Sequence, residues 1–208
     1  MPKQTFYNLP KEKQDNLLAA AKKEFSNKPL NKASVSNIIK NADIPRGSFY
    51  QYFDGKEDAF YFLLEKQMKV NSEEFIAILK KNSGDLFEAF METFQKMQKE
   101  FQVQKNRDFF RNVFLNMDYQ MENKILSDFS ESRFGKPFLE IVTAIDKEKL
   151  NISNDEEVIH IMEIIMAVTF HNLMKHFAKH NTFEDAMNNY RFEMNLLKKG
   201  LYKGDEQG

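Results

Sequence analysis

Apolar residues recur along this chain at spacings of three and four, with no run of strict alternation, so the pattern predicts helices and no sheet. Leu17, Leu18, Ala21 and Phe25 stripe a first helix over residues 10–26, opened by Pro10, whose fixed φ suits a first helical position. The stretch NKPLNKA at 27–33 breaks it. Ser34 then N-caps a short second helix with Val35, Ile38, Ile39 and Ala42 facing inward. Residues 41–44 make a tight turn, and Pro45 opens a third short helix that runs through Tyr52 and ends at Asp54 and Gly55. A long fourth helix over 56–81 buries Phe60, Leu63, Leu64, Met68, Phe75 and Leu79.

Beyond the break NSGD at 82–85, Leu86, Phe87, Phe90, Met91, Phe94, Met97 and Phe101 step along one helical face. Phe109, Phe110, Val113, Phe114 and Met117 step along another, and Gly135 with Pro137 splits the path that follows. Ser153 or Asn154 caps a helix over 155–180 that is apolar around much of its circumference. Thr182 with Asp185 makes a capping-box variant for a last helix through Tyr202. The expectation is an all-α chain of about nine helices. An N-terminal three-helix helix-turn-helix domain spans 1–56, and a C-terminal helical domain for ligand binding and dimerisation spans 57–208.

Composition narrows the function. The chain has no cysteine, which excludes disulfides, thiolate zinc sites and cysteine nucleophiles. There is no G-x-S-x-G, no H-E-x-x-H and no Gly-rich phosphate loop, so no enzyme and no cofactor is expected. The first residues carry no apolar signal region, and no uninterrupted apolar run reaches the ~18 residues of a membrane span. A cytoplasmic protein without a membrane partner is expected. Charge is lopsided: residues 1–56 carry ten Lys/Arg against five Asp/Glu, while the rest of the chain is net acidic. A basic head on an acidic body points to a polyanion partner for the head.

Two short helices joined by a tight turn, braced by a preceding helix, are the parts of a helix-turn-helix. Ile38, Ile39 and Ala42 supply the packing face of the first short helix. The second must offer small polar groups at its N-terminus to enter a DNA groove, and Arg46, Gly47 and Ser48 do so. Phe49 and Phe53, four apart, anchor it and leave Tyr50, Gln51 and Tyr52 partly outward. The run from Ser34-Val35-Ser36 through Ala42-Asp43-Ile44-Pro45-Arg46-Gly47-Ser48-Phe49-Tyr50-Gln51-Tyr52-Phe53 to Lys56-Glu57-Asp58 resembles the DNA-binding signature of TetR-family regulators. Ser34 stands where Thr is commoner, and Asp43 where Gly is usual.

The resemblance implies a homodimeric repressor on a near-palindromic double-stranded DNA operator, released by a small, hydrophobic effector. It makes Arg46 the candidate for bidentate contact with guanine. Gly47 permits close backbone approach, Ser48 and Gln51 reach base edges, and Tyr50, Tyr52 and Lys56 meet phosphates. Ser34 and Ser36 add contacts from the second helix. For the effector, Phe110, Phe114, Met117, Phe138, Met166, Phe170 and Met174 are candidate pocket residues, because Met and Phe suit an adaptable apolar cavity, or else they are plain core. His171, flanked by Thr169 and Asn172, is either a structural histidine or a ligand contact. The alternative reading is a haem- or metal-responsive regulator of an efflux system that uses His171. The resemblance further implies that the last two helices form a four-helix bundle with their counterparts.

Overall fold

A computed structural model describes residues 1–102, 104–116, 136–179 and 181–201. Ten α-helices lie among the described residues, which hold no strand. They are α1 (Gln4–Tyr7), α2 (Lys11–Asn27), α3 (Val35–Ala42), α4 (Arg46–Tyr52), α5 (Lys56–Lys81), α6 (Leu86–Glu100), α7 (Gln104–Leu115), α8 (Lys136–Ala144), α9 (Asp155–Lys179) and α10 (Phe183–Leu201). Short 3₁₀ turns occur at Leu30–Lys32 and Lys147–Lys149.

The chain divides into two compact units. The first holds 1–70 and 103–116, and the second 71–102 and 117–208. The division falls inside the helix α5. Residues 103–116 join the first unit because α7 packs on α2. Asn112 donates to both Phe25 O and Ser26 O at 2.9 Å, closing two orphan carbonyls at the end of α2. Phe109 reaches Phe60 with 6.1 Å between ring centroids.

In the first unit the predicted stripe of α2 is buried, as are Ile38 and Ala42 of α3 and both anchors of α4, Phe49 and Phe53. Val35 and Ile39 are only half-buried, flanking the buried row of a helix too short to hide a whole face. Helix α1 escaped the sequence pattern because four residues carry no period. Its Phe6 is buried and meets Phe53 at 5.3 Å and Phe62 at 5.6 Å.

In the second unit α10 packs on both α6 and α9. Phe94 of α6 stacks on Tyr190 of α10 at 4.0 Å, and the Tyr190 hydroxyl shares a hydrogen bond with Thr169 Oγ1 of α9 at 2.8 Å. Burial pushes the Tyr190 phenol well above its ordinary pKa. Asn154 caps α9, accepting from Glu157 N at 3.1 Å. Thr182 and Asp185 form the reciprocal capping box, with Asp185 N donating to Thr182 Oγ1 at 3.1 Å. Gly84 is required by the fold: at φ +78° it passes so close to residue 146 that a Cβ would sit 2.6 Å from Asp146 N.

Candidate nucleic-acid interface

Helices α3 and α4 are joined by a left-handed residue. Asp43 adopts φ 52°, ψ 50°, and Ile44 N returns to Ile39 O at 3.1 Å. An αL position of this kind is where glycine is least strained, which accounts for glycine being the usual residue where Asp43 stands. Pro45 precedes the first turn of α4, and Ser48 N closes on Pro45 O at 3.0 Å.

The N-terminus of α4 is open. Arg46 is exposed, its Nη1 lies 3.4 Å from Ser36 Oγ, and its guanidinium carbon lies 6.0 Å from the Tyr50 ring centroid. The structure therefore brings Ser36, Arg46 and Tyr50 together on one polar face. Gly47 is exposed and a Cβ built there meets nothing within 4 Å, so packing within the chain does not ask for glycine. Gln51 is exposed, Ser48 is half-buried, and Tyr52 is half-buried in an edge-to-face pair with Phe6 at 6.5 Å between ring centroids.

Ser34 and Lys56 belong to a second cluster, at the turn before α3. Ser34 occupies the expected N-cap position, but its hydroxyl makes no cap bond. The cap comes from α2: the Glu24 carboxylate, 4% exposed, accepts Ser34 N at 2.9 Å and Asn37 Nδ2 at 3.1 Å. Lys56 Nζ donates to Asn31 O and Ala33 O, both at 3.1 Å, which leaves one of its three protons for any other acceptor.

The C-terminal end of α4 is capped from the start of the chain. Lys3 Nζ donates to Tyr50 O at 2.9 Å, Lys3 N to Tyr52 O at 2.9 Å, and the Thr5 hydroxyl to Gln51 O. Three carbonyls that a seven-residue helix leaves unpaired are thus satisfied. Lys3 also pairs with Asp54 at 2.8 Å, and that hydrogen bond lowers the Asp54 carboxyl below its usual range. Sequence reading missed Glu24, Lys3 and Thr5, whose partners lie at least ten residues away.

The effector candidates divide between the units. Phe110 and Phe114 are buried and stacked at 6.3 Å in the first. In the second, Met166 is buried, Phe170 and Met174 are half-buried, and His171 is exposed. Met117 and the side chain of Phe138 lie outside the described residues. A polar group absent from the sequence reading lies in the second unit. The Gln98 side chain is 1% exposed, and neither its nitrogen nor its oxygen has a hydrogen-bond partner. Burying an amide in this way costs about 1–3 kcal/mol.

The family model described as Tetracyclin repressor-like, C-terminal domain, matches residues 85–201, and that of the Bacterial regulatory proteins, tetR family, matches residues 17–60. The chain belongs to the TetR family. It is a transcriptional regulator that uses a helix-turn-helix to bind DNA, and it is not an enzyme. The uncharacterized HTH-type transcriptional regulator YvdT of Bacillus subtilis (strain 168) is 45% identical over 56 residues, which are 27% of this chain and 26% of that protein. SmeT, the repressor of the Stenotrophomonas maltophilia multidrug efflux pump SmeDEF, superposes with a TM-score of 0.66 at 14% identity, over 95% of this chain and 93% of SmeT. Reduced E. coli NemR gives 0.60 at 15% identity, over 94% of this chain and 99% of that one. At such identities the two structures speak for the TetR fold alone.

Proposed function

We propose that this TetR-family regulator is a cytoplasmic homodimer that represses transcription from a near-palindromic operator and releases it on binding a small, hydrophobic effector. The observation that carries the reading is the open N-terminus of α4, where Ser36, Arg46 and Tyr50 share one polar face and Gly47 borders free space. A guanidinium in that position can pair with guanine O6 and N7, while the peptide N–H groups of the first turn favour phosphate. Ser34, Ser48, Gln51, Tyr52 and Lys56 add backbone and base-edge contacts around it.

The dimer is supported by apolar side chains left in solvent on the last two helices. Ile164 of α9 is 44% exposed, and Phe192 and Leu196 of α10, four residues apart, are 66% and 53% exposed. Helix α9 is long and apolar enough to cross a membrane by length and composition, yet only 39% of its most apolar window is buried within one chain. A second copy packed on these helices covers that surface. Two-fold symmetry then sets the recognition helices one DNA turn, ~34 Å, or a small multiple apart.

Release follows from linkage: an effector shifts the protein from DNA by its differential affinity for the two conformations and by no more. Nothing specific favours the haem or metal reading. His171 is exposed on α9, and among the described residues no three His, Asp or Glu side chains gather where a metal ion would bind. Selection of bound duplexes from a random pool, with sedimentation of the free protein, tests the proposal. The expected results are an enriched near-palindrome and a dimer. A monomer, or a pool without enrichment at low salt, defeats it.

A further inference from the structure

Gln98 is a polar group without a task in the free chain. It lies on α6 four residues after Phe94 and three before Phe101, so the three share one face of the helix. Aromatic contacts close that face at both ends: Phe94 stacks on Tyr190 at 4.0 Å, and Phe101 meets Phe177 at 4.9 Å. Between them the carboxamide is 1% exposed with its nitrogen and its oxygen both unpartnered, and five residues earlier on the same helix the buried Thr93 hydroxyl is unpartnered as well. A glutamine of this kind is a standing defect unless something supplies the missing bonds, because leucine or methionine would fill the same volume without an orphan.

We infer that Gln98 is the polar anchor of the effector site, and that the effector is a molecule with an aromatic body and an amide edge. A side-chain carboxamide presents a donor and an acceptor side by side. Its complement is a group with an acceptor and a donor in the same arrangement, as on the edge of a lactam or imide. The flat body follows from the ring faces and edges on either side. This inference rests on the effector-responsive reading and adds the chemistry that the site selects.

The probes are 2-quinolinone, which carries the amide edge; its N-methyl derivative, which lacks the donor; and naphthalene, which lacks both. Affinity is read by calorimetry on the full chain and operator release by fluorescence anisotropy, for the wild type, Gln98→Leu and Gln98→Met. The wild type is expected to bind 2-quinolinone roughly tenfold or more tightly than either analogue, and both variants to lose that preference while melting no lower than the wild type. Equal affinity of the wild type for all three probes overturns the inference, and so does a preference that survives both substitutions. The two readings fail separately. If other compounds release DNA equally well from the wild type and the variants, Gln98 is no anchor although the regulator is effector-responsive. If 2-quinolinone binds through Gln98 and the operator stays bound, the anchor stands and regulation through it falls.

Discussion

Gly47→Ala separates what the fold needs from what DNA needs. Gly84 shows the structural kind of glycine, with positive φ and a Cβ that would collide with backbone. Gly47 has neither property: it sits in the first turn of α4, and an added methyl meets no atom within 4 Å. Alanine is favoured over glycine in helices by up to ~1 kcal/mol, less near an end, so the free protein should gain a few tenths to about 1 kcal/mol. That corresponds to a rise in melting temperature of up to ~2–4 °C. On the operator the sign reverses. If the backbone of this turn lies against the duplex, the methyl occupies the contact plane, and a steric misfit of about 1–3 kcal/mol weakens binding roughly 5- to 150-fold. The assay pairs thermal melting with anisotropy titration on the selected operator at one fixed salt concentration. A variant that is more stable and binds as tightly as the wild type would show that the first turn of α4 does not approach DNA. A variant that is less stable would show that the glycine serves the fold after all.

Asp43→Gly relieves the left-handed turn residue and should stabilise the protein by about 1 kcal/mol, while removing an acid next to α4 and tightening non-specific DNA binding; calorimetry and titration on random duplex read the two effects. Arg46→Ala should cost ~1–3 kcal/mol at one operator position in each half-site and relax base preference there, as read by repeating the selection. Lys56→Ala should weaken binding to every sequence and lower the salt slope by ~0.9 for each phosphate that the lysine neutralises; an unchanged slope would leave Lys56 only its hold on Asn31 O and Ala33 O. Glu24→Ala strips the cap from α3, leaving Ser34 N and the Asn37 amide without their carboxylate, and should destabilise the chain by about 2–3 kcal/mol in a denaturant titration.

What could be read along the chain was whatever depends on neighbours within one helical turn. The stripe of α2, the anchors Phe49 and Phe53, the open face at Arg46 and Gly47, and the capping box of α10 all follow from spacings of three or four, and the backbone obeys those spacings wherever the helix lies. Ser34 marks where that logic stops: its position was legible, but the bond at that position was made by Glu24, ten residues upstream. The grip of Lys3 and Thr5 on the end of α4 joins residues more than forty apart, and that of Asn112 on the end of α2 joins residues more than eighty apart. Gln98 reads in sequence as an ordinary polar position, and only the packing of distant helices on α6 makes it a buried amide without partners. Helix periodicity is a property of the local chain, whereas the pairing and desolvation of a polar group depend on which distant segments fold over it, and that is decided only when the helices pack.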